Sequence, residues 1–160
     1  MTARYFAMNT LAETERVAAA LAHLVQCGDT LALRGEMGAG KTTLVAALVA
    51  ALGGPVAASP TFALLHEYLT SRGIVWHADL YRLETAAELA PLGFDDILQN
   101  ARGFCIVEWA DKFPLVPEDA LWIEIEVSVA PDARRIAFAG RGRGGELASA
   151  LYEALDGAHA

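Results

Sequence analysis

One short segment of the chain carries residue types that bind phosphate. The segment Gly35–Thr42 reads Gly-Glu-Met-Gly-Ala-Gly-Lys-Thr, the G-x-x-x-x-G-K-[ST] spacing of a phosphate-binding loop, or P-loop. It follows the apolar run Thr30–Arg34 and precedes a helical pattern over Thr43–Leu52. Glycines let backbone N–H groups turn toward a phosphate, and the N-terminus of the next helix adds positive potential. The segment therefore predicts a nucleoside triphosphate site.

Lys41 and Thr42 make this prediction specific. A turn that merely joins a strand to a helix would explain Gly35 and Gly40 but not a lysine followed by a hydroxyl. Lys41 is expected to reach the β- and γ-phosphate oxygens, and the Thr42 hydroxyl is expected to ligate Mg²⁺. The candidate nucleotide-binding residues of the loop are Gly35, Glu36, Met37, Gly38, Ala39, Gly40, Lys41, Thr42 and Thr43.

Such a loop also needs an acidic group at the end of a neighbouring buried strand, to hold Mg²⁺ and order the attacking water. Glu108 ends the nearly all-apolar run Phe104–Val107, and Asp79 ends a second apolar run. The alternative for Glu108 is a solvated carboxylate at a strand exit. For Asp79 it is a structural network with His77 and Arg82.

Thr61 is a third candidate catalytic residue, because it lies in the loop Ser59–Phe62 between the P-loop helix and the next strand. NTPases often place a switch there whose hydroxyl responds to the γ-phosphate. An ordinary helix-to-strand connection explains the same loop equally well.

Length and composition favour one domain spanning residues 1–160, which is long enough to bury a core without disulfides or metals. Cys27 and Cys105 are far apart and are interpreted as core residues. The N-terminus has no apolar signal segment, so we expect a cytoplasmic protein with no membrane contact. A net charge of −8 disfavours extensive direct binding to RNA or DNA phosphates.

The order of patterns predicts an α/β P-loop NTPase fold, with a mixed, mostly parallel central sheet flanked by helices and extended by antiparallel hairpins. The hairpins are predicted from Phe62–Leu69 with Gly73–Leu80, and from the alternating run Leu121–Val129 with the following strand. A helix with a capping box at Thr10-Leu11-Ala12-Glu13 is expected to bury Leu11.

The C-terminal part is predicted to contain a closing helix over Glu146–Leu155, preceded by a mobile Arg/Gly loop at 141–145. Gly140-x-Gly142-x-x-Gly145 formally matches a dinucleotide-binding fingerprint. It lacks the second parallel strand and ribose-binding acid that this fingerprint requires, so we reject that interpretation.

Four motifs in this order resemble the TsaE (YjeE) family of bacterial ATPases in tRNA threonylcarbamoyladenosine biosynthesis. They are the P-loop Gly35–Thr43, Ser59–Phe62, His77-Ala78-Asp79-Leu80-Tyr81-Arg82 and Glu108-Trp109. The resemblance covers about residues 14–109, and Ala110-Asp111 departs from the family's usual residues.

This resemblance implies ATP hydrolysis in support of a TsaB–TsaD complex that modifies adenosine 37 of tRNA. The acidic net charge favours tRNA contact through those partners over contact through this chain. The resemblance also implies that Met8, Leu11 and Thr14 lie near the adenine, that Thr42 and Glu108 hold Mg²⁺, and that Asp79 is needed for activity.

Three rival functions remain open. A small-molecule P-loop kinase would need an acceptor pocket and an arginine-bearing lid, for which no Arg-rich insertion is evident. A GTPase would usually carry Asn-Lys-x-Asp, and neither lysine follows an asparagine. A non-catalytic, nucleotide-dependent assembly module would share every motif.

Overall fold

The apolar run predicted to be a central strand forms the strand Gly103–Glu108, and all of its residues are buried. The computed structural model describes residues 4–57, 64–130 and 133–157. Within these ranges, one sheet contains β1 (Phe6–Ala7), β2 (Thr30–Arg34), β3 (Leu65–Thr70), β4 (Gly73–Asp79), β5 (Gly103–Glu108), β6 (Leu121–Val127) and β7 (Arg134–Ala139). The helices are α1 (Leu11–Leu24), α2 (Lys41–Ala51), α3 (Phe94–Leu98) and α4 (Gly142–Gly157), with 3₁₀ segments at Ala86–Leu92 and Ala110–Lys112.

The strand order is β1-β7-β6-β2-β5-β4-β3. The neighbours β6, β2, β5 and β4 are parallel, whereas β3, β7 and β1 add antiparallel pairs at the two edges. This arrangement confirms the predicted mixed sheet with antiparallel hairpins. The loops after β2, β4 and β5 leave the same carboxyl edge, which is where open α/β sheets bind ligands.

Two hydrophobic clusters cover the two faces of the sheet. Leu31 and Leu33 of β2 pack in the cluster formed with α1, α2 and α4. Ala32, between them, points to the opposite face, which Leu89 of the first 3₁₀ segment and Phe94 of α3 help to cover. This alternation is the period of two expected for a strand buried on both faces.

Helix α1 begins as predicted but its first residue does not face the core. The Thr10 side chain accepts a hydrogen bond from the Glu13 backbone N–H, and the Glu13 side chain returns to the Thr10 backbone, so the capping box is confirmed. Leu11 is 61% exposed, and burial on this face starts one turn later, at Thr14. The burial predicted for Leu11 was therefore wrong. Helical spacing predicts the direction in which a side chain points, but not whether other elements of the fold extend far enough to cover it.

The closing helix starts earlier than predicted. Gly142–Gly157 is helical, so most of the supposed mobile Arg/Gly loop belongs to α4. Arg143 donates to both carboxylate oxygens of Asp29 at 3.0 Å and to the Leu24 carbonyl at 3.1 Å. These long-range contacts order a glycine-rich turn that has little helix propensity of its own.

The other differences are local. Cys105 is buried as predicted, but Cys27 is exposed in the turn after α1, so its assignment to the core was wrong. Strand β6 ends at Val127 rather than Val129, and Val129 is fully exposed. The turn residues Pro131 and Asp132 lie outside the described residues.

Candidate functional site

The P-loop connects β2 to α2 at the centre of the sheet. A Cβ atom at Gly35 would clash with the Ile125 carbonyl oxygen of β6, so the loop can leave the sheet here only with glycine. Gly40 immediately precedes α2 and has a φ of 108°, a conformation that L side chains rarely adopt. The sequence thus sets a tight turn that ends at a helix N-terminus, the geometry that suits an anion.

Lys41 is held across the loop by backbone oxygens. Its side chain is buried, and Nζ donates to the carbonyls of Gly35 at 2.5 Å and Glu36 at 3.0 Å. The ammonium also lies 4.3 Å from the centre of the Trp109 ring. Burial lowers the pKa of Lys41, although the nearby Glu108 carboxylate opposes this shift. The ammonium is therefore already positioned at the loop, and phosphate oxygens could replace the two carbonyl oxygens that accept its hydrogen bonds.

Glu108 joins the P-loop helix to the strands beside it. Its Oε1 accepts a hydrogen bond from the Thr42 hydroxyl at 3.0 Å, and its Oε2 lies 2.6 Å from His77 Nε2. Glu108 and His77 are both almost completely buried. The structure thus brings Thr42 and Glu108 together, as the motif analysis predicted, while His77 contacts Glu108 rather than Asp79.

Asp79 ends β4 directly beside Glu108 in the parallel register of β4 and β5. Its Oδ1 accepts a hydrogen bond from the Tyr81 backbone N–H at 2.9 Å. Burial raises the pKa of Asp79, and the charge of Glu108 acts in the same direction. Two carboxyl groups from adjacent strand ends therefore share the carboxyl edge near the P-loop.

A cavity of about 350 Å³ connects these groups. Its lining combines predicted residues with several that sequence reasoning did not assign to the site. The lining residues are Met37, Gly38, Gly40, Lys41, Thr42, Thr43, Leu64, Asp79, Tyr81, Arg82, Glu108 and Trp109. Among the missed residues, Tyr81 and Arg82 follow Asp79 by two and three positions, a proximity that could have suggested them. Leu64, with a φ of 59°, gave no such signal.

Three loop residues have other surroundings. Gly35 and Glu36 line a neighbouring cavity beside β6, and Ala39 is buried in the core. The Glu36 carbonyl nevertheless binds Lys41. These residues therefore shape the loop from behind, while its open side is lined by Met37, Gly38 and Gly40 to Thr43.

Met8, Leu11 and Thr14 do not line the main cavity. Met8 and Thr14 are buried, whereas Leu11 is exposed. The segment is tied to the P-loop through Arg134, whose backbone carbonyl accepts from Met8 N–H at 2.8 Å and whose guanidinium donates to the Gly38 carbonyl at 3.3 Å. The start of α1 is thus linked to the loop from the side opposite Glu108 and Asp79, and adenine binding there stays a prediction.

Comparison with known proteins decides the family. The family model of the threonylcarbamoyl adenosine biosynthesis protein TsaE matches residues 8–136. The chain belongs to the TsaE family. The match extends beyond the residues 14–109 on which the sequence resemblance rested, and it includes β6 and the start of β7.

Individual TsaE-family proteins show the same similarity. The tRNA threonylcarbamoyladenosine biosynthesis protein TsaE of Bacillus subtilis is 35% identical over 137 residues, 84% of each chain. The Haemophilus influenzae protein of the same name is 37% identical over 107 residues, 65% of each chain. The crystal structure of Bacillus subtilis YdiB superposes with a TM-score of 0.77 at 28% identity, covering 99% of this chain and 97% of that one.

Two further findings bear on this TsaE-family site. In the described part of the chain, no helix is both long and apolar enough to cross a membrane. The described side chains also contain no group of three or more His, Cys, Asp or Glu residues that could hold a metal.

Thr61 and the rest of its loop lie outside the described residues, so the expected switch stays a prediction.

Proposed function

We propose that this TsaE-family chain binds ATP with Mg²⁺ and hydrolyses it in tRNA threonylcarbamoyladenosine biosynthesis. The observation that carries the proposal is the meeting of Thr42 Oγ1 and Glu108 Oε1 at 3.0 Å, beside the Lys41 ammonium and at the N-terminus of α2. A hydroxyl, a carboxylate and an ammonium at a glycine-rich loop suit a metal-bound triphosphate. The family name and those of the relatives connect the chain to the modification pathway.

The residues present fit Mg²⁺. Thr42 and Glu108 offer oxygen atoms, the ligands that this cation prefers. Mg²⁺ is usually bound by one or two protein groups together with water and substrate phosphates, so a site without a larger cluster of described acidic side chains is suitable. When bound, Mg²⁺ would neutralise phosphate charge, and Thr42 with Glu108 would hold it.

The other residues have separate tasks in this proposal. Lys41 exchanges the Gly35 and Glu36 carbonyls for phosphate oxygens, because a charged acceptor binds an ammonium more strongly than a neutral carbonyl does. Asp79 orients the attacking water, and its raised pKa makes it a stronger proton acceptor than an ordinary carboxylate. Arg82 lines the same cavity, and in this proposal its guanidinium would stabilise charge on the transferred phosphoryl group.

Full activity is proposed to require a TsaB–TsaD-like pair. The net charge of −8 makes tRNA contact through such partners more favourable than contact through this chain. Binding of the pair would add charge-stabilising groups, as GTPase-activating proteins do for GTPases. Hydrolysis by the isolated chain should therefore be slow.

The test is steady-state ATP hydrolysis by the protein alone, with tRNA alone, and with the purified partner pair. We expect slow hydrolysis alone, no response to tRNA alone, and stimulation of about tenfold or more by the pair, a modest gain for a partner-completed phosphoryl-transfer site. A Thr42→Ala variant in every reaction controls for contaminating ATPases. Full activity in isolation would contradict the role of the partners, and transfer of phosphate to a small metabolite would favour the kinase alternative.

A further inference from the structure

His77 touches the proposed site only through another side chain. It is fully buried, it is not part of the cavity lining, and its Nε2 lies 2.6 Å from Glu108 Oε2. Glu108 reaches the cavity and contacts Thr42 with its other oxygen, Oε1. The imidazole thus stands behind the carboxylate, on the side away from the P-loop helix.

The contact determines which ring nitrogen carries a proton. A carboxylate that ligates a metal is ionised and only accepts hydrogen bonds, so in the metal-binding state Nε2 donates, because a bare Nε2 would set two lone pairs against each other. His77 Nδ1 has no hydrogen-bond partner in the described structure, so no other polar group there selects the tautomer. The hydrogen bond to Glu108 is therefore the polar interaction that gives this buried ring its orientation.

Strand register and packing place the His77 ring within hydrogen-bond distance of Glu108. His77 lies on β4 and Glu108 on the parallel neighbour β5, where His77 pairs with Ile106 and Asp79 pairs with Glu108. The imidazole consequently extends toward the carboxyl end of the sheet, to a carboxylate two residues beyond its own strand partner Ile106. Tyr68 of β3 flanks the ring, with ring centres 6.4 Å apart. Burying an imidazole with one unpartnered nitrogen costs free energy that an apolar residue would avoid.

We propose that His77 is a positioning residue: its Nε2–H holds Glu108 Oε2 so that Oε1 faces Thr42 and the metal-nucleotide site. The inference rests on the proposed function, because the metal is what Oε1 would bind. Partners behind a ligating group commonly fix its orientation, and their loss typically lowers metal affinity or activity by about 10–100-fold.

Two variants separate positioning from packing. His77→Gln keeps an N–H donor at about the reach of Nε2, whereas His77→Asn has the same amide on a side chain shorter by one methylene. The main readout is Mn²⁺ affinity, measured by electron paramagnetic resonance on protein bound to a non-hydrolysable ATP analogue. Affinity for the analogue in the presence of a chelator and thermal unfolding complete the set.

We expect His77→Asn to weaken Mn²⁺ binding by about 10–100-fold while metal-free analogue binding is unchanged, and His77→Gln to recover most of the loss. Wild-type Mn²⁺ affinity in folded His77→Asn would overturn the positioning role. Equal Mn²⁺ losses in both variants, with parallel losses of metal-free binding, would also overturn it, because they indicate a packing defect.

A measurement on the wild-type protein guards against variants that do not fold. Nitrogen NMR of the histidine rings should find His77 Nε2 protonated, and an unprotonated Nε2 would overturn the inference. Wild-type protein that binds neither the analogue nor Mn²⁺ would reject the proposed function and the positioning role with it. Normal wild-type binding with unaffected His77→Asn would reject the positioning role alone.

Discussion

At the scale of single residues, the side chains of the site are already engaged with one another. Lys41 binds two carbonyls of its own loop, and Thr42 binds Glu108. The Lys41 side chain is buried, although it also lines the cavity. A bound nucleotide must therefore replace existing contacts, so the effects of substitutions on affinity measure an exchange of partners rather than a simple gain.

Lys41→Ala should lower ATP affinity by about 100-fold, because it removes a charge-assisted contact of about 3 kcal/mol to the phosphates. Gly35 and Glu36 line the neighbouring cavity beside β6, so water can replace the ammonium at their carbonyls and the fold should persist. Calorimetric titration with ATP and circular dichroism check both points. Lys112→Ala, at the other lysine of the sequence, is the matched control and should keep ATP affinity. Unchanged affinity in folded Lys41→Ala would refute the P-loop assignment.

Glu108→Gln should retain nucleotide binding but slow hydrolysis by about 100-fold or more, the usual loss when one preorganised electrostatic group is removed. The amide keeps the shape but loses the charge, and its single oxygen can accept from Thr42 or from His77 but not optimally from both. Phosphate release at saturating ATP and partner pair is the measurement. Wild-type turnover in this variant, with loss in Asp79→Asn, would make Asp79 the essential acid.

Asp79→Asn should stabilise the nucleotide-free protein at neutral pH. The pKa of Asp79 is raised in the folded state, chiefly by burial, so folding becomes less favourable as this group ionises. This penalty on the free energy of folding is absent at a pH below the ordinary pKa of 3.8, because Asp79 is then protonated in both the folded and the unfolded chain. It is complete at a pH above the raised pKa of the folded state. The Asn oxygen can still accept from Tyr81 N–H.

Urea unfolding across this pH range tests the sign of the Asp79 effect. The stability difference between Asp79→Asn and wild type should grow as the pH rises through the window and should disappear in acid. A stability gap that stays constant with pH, or that favours wild type at neutral pH, would contradict the electrostatic account.

At the scale of elements, close backbone approaches position α4 against the sheet. A Cβ atom at Gly144 would lie 2.8 Å from the Asp119 carbonyl oxygen and would clash with the Ala120 carbonyl as well. The salt bridge between Arg143 and Asp29 holds the same turn against the end of α1 and the start of β2. The first turn of α4 is thus held by tertiary contacts, whereas its last turns follow the apolar spacing of an ordinary amphipathic helix.

Gly144→Ala should lower the free energy of unfolding by about 1–3 kcal/mol, the usual cost of forcing atoms into a packed site. Gly157→Ala is the matched control, because nothing lies within 4 Å of a Cβ there. The control should change stability by no more than a few tenths of a kcal/mol in either direction. Chemical denaturation of both variants gives the comparison, and equal stabilities would show that the backbone yields easily at Gly144.

At the scale of the whole molecule, charge should decide the choice of partners. The sequence carries a net charge of −8 with only twelve basic residues, and several of these are paired with carboxylates. An acidic chain lacks the counterion release that drives association with nucleic acid. Contacts with proteins are therefore favoured over contacts with tRNA.

The isolated protein should bind tRNA with a dissociation constant weaker than about 100 µM at physiological salt, the weak limit of non-specific binding. Filter binding at low and physiological salt measures this, with the partner pair and tRNA as the positive control. Tight binding by the chain alone, with a steep dependence on salt, would instead indicate a basic surface that the net charge conceals.

The sequence by itself determined the features that depend on neighbouring residues along the chain. Local spacing and periodicity predicted the strand–turn–helix course around Gly35–Thr42, the buried strand ending at Glu108, the capping box at Thr10 and the β3–β4 hairpin, and the structure confirms each. Motif order was also sufficient for the family. Local rules succeed here because strands, caps and glycine turns are defined over only a few residues.

Only the tertiary structure decided which distant side chains meet. His77 contacts Glu108 instead of Asp79 because the register of β4 and β5 aligns the strand ends and directs the imidazole forward. The early start of α4 and the exposure of Leu11 and Cys27 likewise depend on which surfaces cover each element. No local pattern encodes these distances, since they are set by strand order, register and packing across the whole chain.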